Sequence, residues 1–194
     1  MIEPLEATQY LLEMVNNNPV ISNLGPSNYT LYQADPERKA NFYMLNSMGM
    51  ACSIALGLAL ARPDLKVWLL DGDGALLMNL GSLATEADHA PENLIHIVWD
   101  NGIYQSTGGQ SIPSGKKVNL AEIAKAAGFE KAARVETLSA FRKAVQQAAS
   151  TPGPWFIDAR TMPSSITRRA FWSQPRRPAQ MRDTFMRAIK PPSG

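Results

Sequence analysis

A single cysteine, Cys52, stands in 194 residues, so the chain alone builds no disulfide, zinc cluster or iron–sulfur cluster. Within "MACSIALGLAL" that cysteine reads as a small buried apolar residue rather than a reactive thiol. Histidine is almost as scarce. His89 falls at a helix end and His96 inside an apolar strand, and both are expected to be structural rather than acid–base groups. No run of eighteen apolar residues is present, and "MIEPLEATQY" carries acids where a secretory leader needs a basic and then greasy segment, so a soluble cytoplasmic protein is expected. Hydrophobic residues make up 45% of the chain, which is enough to bury a core and excludes wholesale disorder.

The small net charge of +2 hides an uneven distribution. From Arg160 onward there are eight Arg or Lys and one acid, Asp183, which leaves eleven bases against sixteen acids in residues 1–159. We expect an acidic domain over residues 1–162 and a basic C-terminal arm over 163–194, broken by Pro175 and Pro178 and carrying a short helix near residues 180–189. Phe171 and Trp172 among the arm's arginines admit a nucleic-acid grip. Packing against another subunit, or an arm that is simply solvated, is the stronger expectation, because no recognition motif accompanies them.

Short apolar runs alternate with segments of helical spacing, and Gly, Pro, Asn and Asp punctuate them. "VIS", "NFYMLN", "KVWLL", "NLIHIVW", "KAARVE" and "PWFIDAR" read as strands. "ATQYLLEMVNN", "GMACSIALGLALA", "LMNLGSLATEADHA", "NLAEIAKAAG" and "TLSAFRKAVQQAAS" read as helices, with a Gly-rich loop from Gly102 to about Val118. Continuous apolar strands imply burial on both faces. The pattern predicts an α/β fold of three layers, α/β/α, around a mainly parallel six-stranded sheet.

In such sheets ligands bind beyond the carboxyl ends of strands, and Asp71, Asp73, Asp100 and Asn101 all fall there. "DGDG" leaves the third strand and enters a helix, so Gly72 and Gly74 let the backbone turn tightly, and the helix start offers N–H groups to an anion. A carboxylate facing a phosphate is repulsive unless a cation lies between them. Mg²⁺ suits that place, since it takes oxygen ligands that include phosphate oxygens. Asp73, the amide oxygen of Asn101 and a backbone carbonyl just beyond would supply half of an octahedron. A calcium hand lacks oxygen side chains at Ala75, Leu76, Leu77 and Met78, and neither "NLGPSN" nor "DGDGAL" fits a dinucleotide fingerprint. Taken singly, "DGDG" and "DNG" are ordinary turns. Their pairing across one strand–helix–strand unit points to a ligand.

"GDG" followed by "DN" resembles the diphosphate-binding signature of thiamine diphosphate enzymes, written GDG…NN. "FYMLNSMGMACSIALGLALA", "GDGALLMNLGSLAT" and "DNGIYQSTGGQ" extend the resemblance, over about residues 19–160, to the phosphonopyruvate and sulfopyruvate decarboxylase group. The resemblance implies thiamine diphosphate as cofactor, with Mg²⁺ held by Asp73, Asn101 and the backbone oxygen of Ile103. It places Gly72, Gly74 and Ala75 along the diphosphate, and Gly25, Ser27, Tyr104, Ser106 and Thr107 near the diphosphate or substrate. Asn46 and Ser47 would face the aminopyrimidine ring. Met48 would be the wedge that bends the cofactor, bringing its amine close to the reacting carbon. Two positions depart from the pattern: Asp100 replaces the first Asn of the pair, and Asn46 stands where Gly is usual.

The same resemblance implies a β-type subunit that decarboxylates a small 2-oxo acid in a hetero-oligomer. Its pyrimidine-binding α partner would carry the activating Glu, which residues 1–18 cannot supply. Lys116, Lys117 and the arm's arginines are candidates for receiving a second anionic group of the substrate. Three alternatives stay open: a carboligase like acetolactate synthase, a 2-oxo acid oxidoreductase subunit, and a non-catalytic module using the basic arm.

Overall fold

A computed structural model of the chain describes residues 1–166 and 178–190. Helix α1 (Pro4–Val15) opens with Pro4 in its first turn, where no hydrogen bond is lost, and with Glu3 accepting from the Glu6 amide. Strand β1 (Val20–Ser22) leads to α2 (Pro26–Ala34) and β2 (Asn41–Tyr43); the apolar small-residue helix α3 (Ala51–Ala61) follows. Next come β3 (Val67–Gly72), two short helices α4 (Asp73–Met78) and α5 (Ser82–His89), and β4 (Leu94–Asp100). The polar loop beyond contains a small antiparallel ribbon, β5 (Ile103–Tyr104) with β6 (Gln110–Ser111). α6 (Leu120–Ala127), β7 (Lys131–Val135), α7 (Leu138–Ser150) and β8 (Trp155–Arg160) complete the alternation.

Six strands form one parallel sheet in the order β2-β1-β3-β4-β8-β7. Residues of opposite parity in β3 feed opposite layers. Trp68 and Leu70 join Leu11, Leu31, Phe141 and Ile157 on one face, and Val67 and Leu69 meet Ala51 and Ala55 of α3 on the other. Leu76, Leu83, Leu120 and Phe156 continue that second layer under α4, α5 and α6. The three-layer α/β/α architecture expected from the strand rhythm is therefore present.

Two differences from the sequence reading have physical causes. α2 falls where no helix was expected, because its buried positions are Ser27, Asn28, Thr30 and Leu31, and so it lacks an apolar stripe. The single helix expected over residues 77–90 is broken at Asn79–Gly81. There the Asn79 amide turns back to donate to the Gly49 carbonyl at 2.8 Å.

Within the basic arm, α8 (Pro178–Ala188) matches the expected helix. Phe185 is buried edge-on against Phe42 with ring centroids 5.3 Å apart, Ile189 joins the same cluster, and Arg62 donates to the Ile189 carbonyl. Phe171, Trp172 and Pro175 lie outside the described residues.

Candidate functional site

From β1 the chain moves outward to β2 and then returns to place β3 on the other side of β1. That reversal opens a crevice at the carboxyl ends of β1 and β3, the place where open α/β sheets bind ligands. A cavity of about 140 Å³ lies there. At roughly 15 Å³ per enclosed water, it has room for an ion and a headgroup rather than one solvent molecule.

Of the expected residues, Ser27, Met48, Gly72, Asp73, Gly74, Ala75, Asn101, Ile103, Tyr104, Ser106 and Thr107 line this cavity. Gly25 sits just behind it, in the left-handed region at φ 80°, where a Cβ would press on the Ser106 hydroxyl at 3.0 Å. Asn46 and Ser47 are exposed and do not line it, and Lys116 and Lys117 are exposed as well. Asn46 has φ 61°. Asn is among the few residues with a side chain that enter this region readily, which accounts for Asn at a position where Gly is usual.

Asp73 begins α4 and is almost fully buried. Its Oδ1 accepts from the Gly74 amide at 2.7 Å; its Oδ2 accepts from the Gly102 amide at 2.7 Å and the Ser114 hydroxyl at 3.3 Å. Three of the roughly four acceptor positions of a carboxylate are thus filled, and one remains for a cation. The Gly74 amide, expected to be free for an anion, is already taken. Gly74 itself must lack a side chain, because a Cβ would come within 2.3 Å of the Tyr104 ring. Asn101 lies on the neighbouring strand end. Its Oδ1 accepts from the Ile103 amide at 3.0 Å, and its Nδ2 donates to Gln105 at 3.3 Å.

The other two acids expected at the strand ends turn elsewhere. Asp71 shares parity with Val67 and Leu69, so its side chain enters the helix-covered layer, where it faces His96. Asp100 is fully buried and pairs with Arg160 at 2.7 Å, its register partner on β8. That guanidinium compensates the charge introduced where the family pattern has a neutral Asn. Asp158 follows the same rule, 3.6 Å from Arg134.

Charge is left over in this cluster. Burial pushes Asp73 up to about 7, the neighbouring Asp100 adds to that, and the Gly102 and Gly74 amides oppose it. Burial also pushes Asp158 up to about 7, with Asp100 next in effect. Asp100 goes the other way: burial raises it, but hydrogen bonding with Asp73 and the Arg160 charge together hold it below the usual carboxylate range. Among the described residues, three carboxylates face two guanidinium groups, so with all three ionised the cluster is one positive charge short. A metal ion at the cavity lip fits that deficit, and the donor set is all oxygen, as Mg²⁺ requires.

Sequence reasoning missed several lining residues. Asn23, at the end of β1, has a buried Oδ1 without a hydrogen-bond partner; the strand-end rule that selected Asp73 would have selected it too. Gln105 bridges Asn101 to the chain beyond β8, donating to the Ser164 carbonyl at 2.6 Å and accepting from the Ser164 amide at 3.0 Å. Thr161, Met162 and Ser164 close that side, and no local motif marks them.

The family described as "Thiamine pyrophosphate enzyme, C-terminal TPP binding domain" matches residues 25–159. The chain belongs to the thiamine pyrophosphate enzymes, and these residues form the domain that binds the cofactor. Sulfopyruvate decarboxylase subunit beta of Methanocaldococcus jannaschii is 47% identical over 145 residues, which cover 74% of this chain and 75% of that one. Phosphonopyruvate decarboxylase of Streptomyces viridochromogenes is 40% identical over 156 residues, 80% of this chain and only 38% of that one. Among solved structures, benzoylformate decarboxylase from Polynucleobacter necessarius superposes with a TM-score of 0.69 at 20% identity, covering 86% of this chain and 34% of that one. Its fold is shared. No helix among the described residues is long and apolar enough to cross a membrane.

Proposed function

We propose that the chain is the β-type subunit of a thiamine-diphosphate-dependent 2-oxo acid decarboxylase, working in a soluble, cytoplasmic hetero-oligomer with a pyrimidine-binding α subunit. The observation that carries this reading is the meeting of Asp73 and Asn101, from adjacent strand ends, at one cavity. Similarity to β subunits named sulfopyruvate decarboxylase, at 47% and 38% identity, supports the reaction class.

In this reading Asp73, Asn101 and the Ile103 carbonyl hold Mg²⁺, which in turn anchors the diphosphate. Thiamine diphosphate, when bound, supplies the electron sink that a departing carboxylate needs. The chain's own residues position and exclude. Met48 enters the cavity from a turn fixed by Gly49 at φ 84° and by the Asn79 bond to the Gly49 carbonyl, so the wedge cannot retreat. Tyr104, Ser106 and Thr107 would form the wall nearest the substrate, and the buried Trp99 contributes an apolar part of the lining. Residues 1–162 supply the cofactor-binding domain, Ser164 just beyond them adds to the cavity, and the exposed face of α8, whose Phe185 and Ile189 pack on this chain's own core, is offered for subunit contact. Similarity to acetolactate synthase of Nicotiana tabacum, 31% over 179 residues, keeps carbon–carbon ligation as the second reading.

The test is calorimetric titration of thiamine diphosphate into the chain with its α partner, with Mg²⁺ and with chelator. Binding that requires Mg²⁺, followed by carbon dioxide release from 3-sulfopyruvate, is expected. Cofactor affinity indifferent to chelation sinks the metal site, and acetolactate formation from pyruvate selects the second reading.

A further inference from the structure

Behind the cavity, a second ionisable cluster is sealed from solvent. Glu86 on α5, His96 on β4 and Asp71 on β3 are each fully buried, and none of them lines the cavity. His96 Nδ1 lies 2.9 Å from Glu86 Oε2, and Nε2 lies 3.6 Å from Asp71 Oδ2. Phe156 meets the imidazole edge-to-face at 5.1 Å and fixes the plane of the ring. Burial pulls the imidazole towards its neutral form, yet the charges of Glu86 and Asp71 outweigh it and push the group up to about 10. The ring thus hydrogen-bonds Glu86 and faces Asp71 at ion-pair distance, between two carboxylates. Asp71 also has a second task, because its Oδ1 accepts from the Gly72 amide at 2.8 Å. Gly72 is the last residue of β3, and Asp73 follows directly.

We propose that His96 is a positioning residue for the cofactor loop: by clamping Glu86 on α5 and Asp71 on β3, it fixes the Gly72 turn that presents Asp73. Removing the cation would leave two buried carboxylates facing each other without compensation. Asp71 would then turn away from the repulsion, and the Gly72 amide would lose its acceptor. The functional part of this inference rests on the reading of Asp73 as a metal ligand; the clamp itself does not.

The experiment uses the full chain, wild type and Glu86→Gln, which keeps an acceptor for the ring while removing one charge; His96→Asn is the stronger variant if it folds. Three readouts are taken: imidazole ¹⁵N shifts at pH 8, amide exchange along β3, and affinity for thiamine diphosphate with Mg²⁺. In the wild type both ring nitrogens should carry protons. In His96→Asn, which removes the cation, the Gly72 amide should exchange about tenfold faster while Trp68, Leu69 and Leu70 stay protected, as local opening requires; in Glu86→Gln, which leaves the ring facing Asp71, the change should be smaller. Cofactor affinity with Mg²⁺ should fall by about tenfold, the lower end of what losing a group that orients a metal ligand costs. A neutral wild-type ring, an unchanged Gly72 amide, or uniformly faster exchange along β3 overturns the clamp, the last outcome being that of a merely structural residue. Intact local exchange effects in a protein that binds no cofactor, even with its α partner, would instead reject Asp73 as a ligand.

Discussion

Two carboxylate clusters hang from the same pair of strands and are neutralised in different ways. In the buried one, Asp71 and Glu86 share His96, the ring is held by Phe156, and none of the three borders the cofactor cavity. In the open one, Asp73, Asp100 and Asp158 have, among the described residues, two cations to answer them, Arg160 and Arg134, and Asp73 borders the cavity. A cluster that lacks a charge and faces a cavity is equipped to take that charge from outside. One that is equally acidic but closed and internally paired is equipped to hold a turn still. Carboxylates on strands therefore declare their use by what faces them more than by their number.

The largest effect that sharpens this contrast is Asp73→Ala. It removes a metal ligand from the open cluster, and retention of thiamine diphosphate with Mg²⁺ should fall at least about a hundredfold, roughly 2.7 kcal/mol. The melting temperature should change little or rise, because a carboxylate left short of charge disappears with it. Calorimetry and a thermal melt on the same sample check both halves. Undiminished cofactor affinity would erase the distinction between the clusters.

A smaller effect tests the wall between cofactor loop and ribbon. Gly74→Ala drives a methyl into the Tyr104 ring, at a distance of 2.3 Å before relaxation, so overpacking should cost about 1–3 kcal/mol. Tyr104→Ala in the same chain should return most of that loss, giving a coupling energy of similar size in a double-mutant cycle read by urea unfolding. Equal costs with and without the ring would show that Gly74 answers to something other than Tyr104.

The sequence disclosed the sheet and both strand-end motifs because those signals are local. Apolar runs such as "KVWLL" and "NLIHIVW" must be strands buried on both faces, and "GDG" and "DN" must then follow them. Direction is less local. Asp71 and Asp73 stand two apart in one motif, yet one faces inward and the other lines the cavity, because the strand ends between them at Gly72. His96 was recognised as structural, but not the clamp, since its partners lie ten and twenty-five positions back along the chain. α2 escaped notice because a helix that buries Ser27, Asn28 and Thr30 shows no stripe, although Pro26 marks its start. Likewise the pairing of Asp100 with Arg160 appears only once β4 and β8 are known to be neighbours.

The smallest expected effect lies in the pH dependence of the open cluster. Burial and Asp100 hold Asp158 well above its ordinary carboxylate range, at about 7, so its protonated form is favoured in the folded chain. The stability it contributes is complete below the unfolded value near 3.8 and is lost as pH rises through about 7. His96 works in a higher window: its contribution is complete below about 6.5 and disappears only as pH rises through about 10. Urea midpoints of the chain without cofactor should therefore fall from pH 5 to pH 7.5. Asp158→Asn, which cannot ionise, should flatten part of that fall and leave the alkaline limb above pH 8 in place. If the substitution flattened the alkaline limb instead, the two clusters would be one coupled system, and their separation into a closed strut and an open seat would fail.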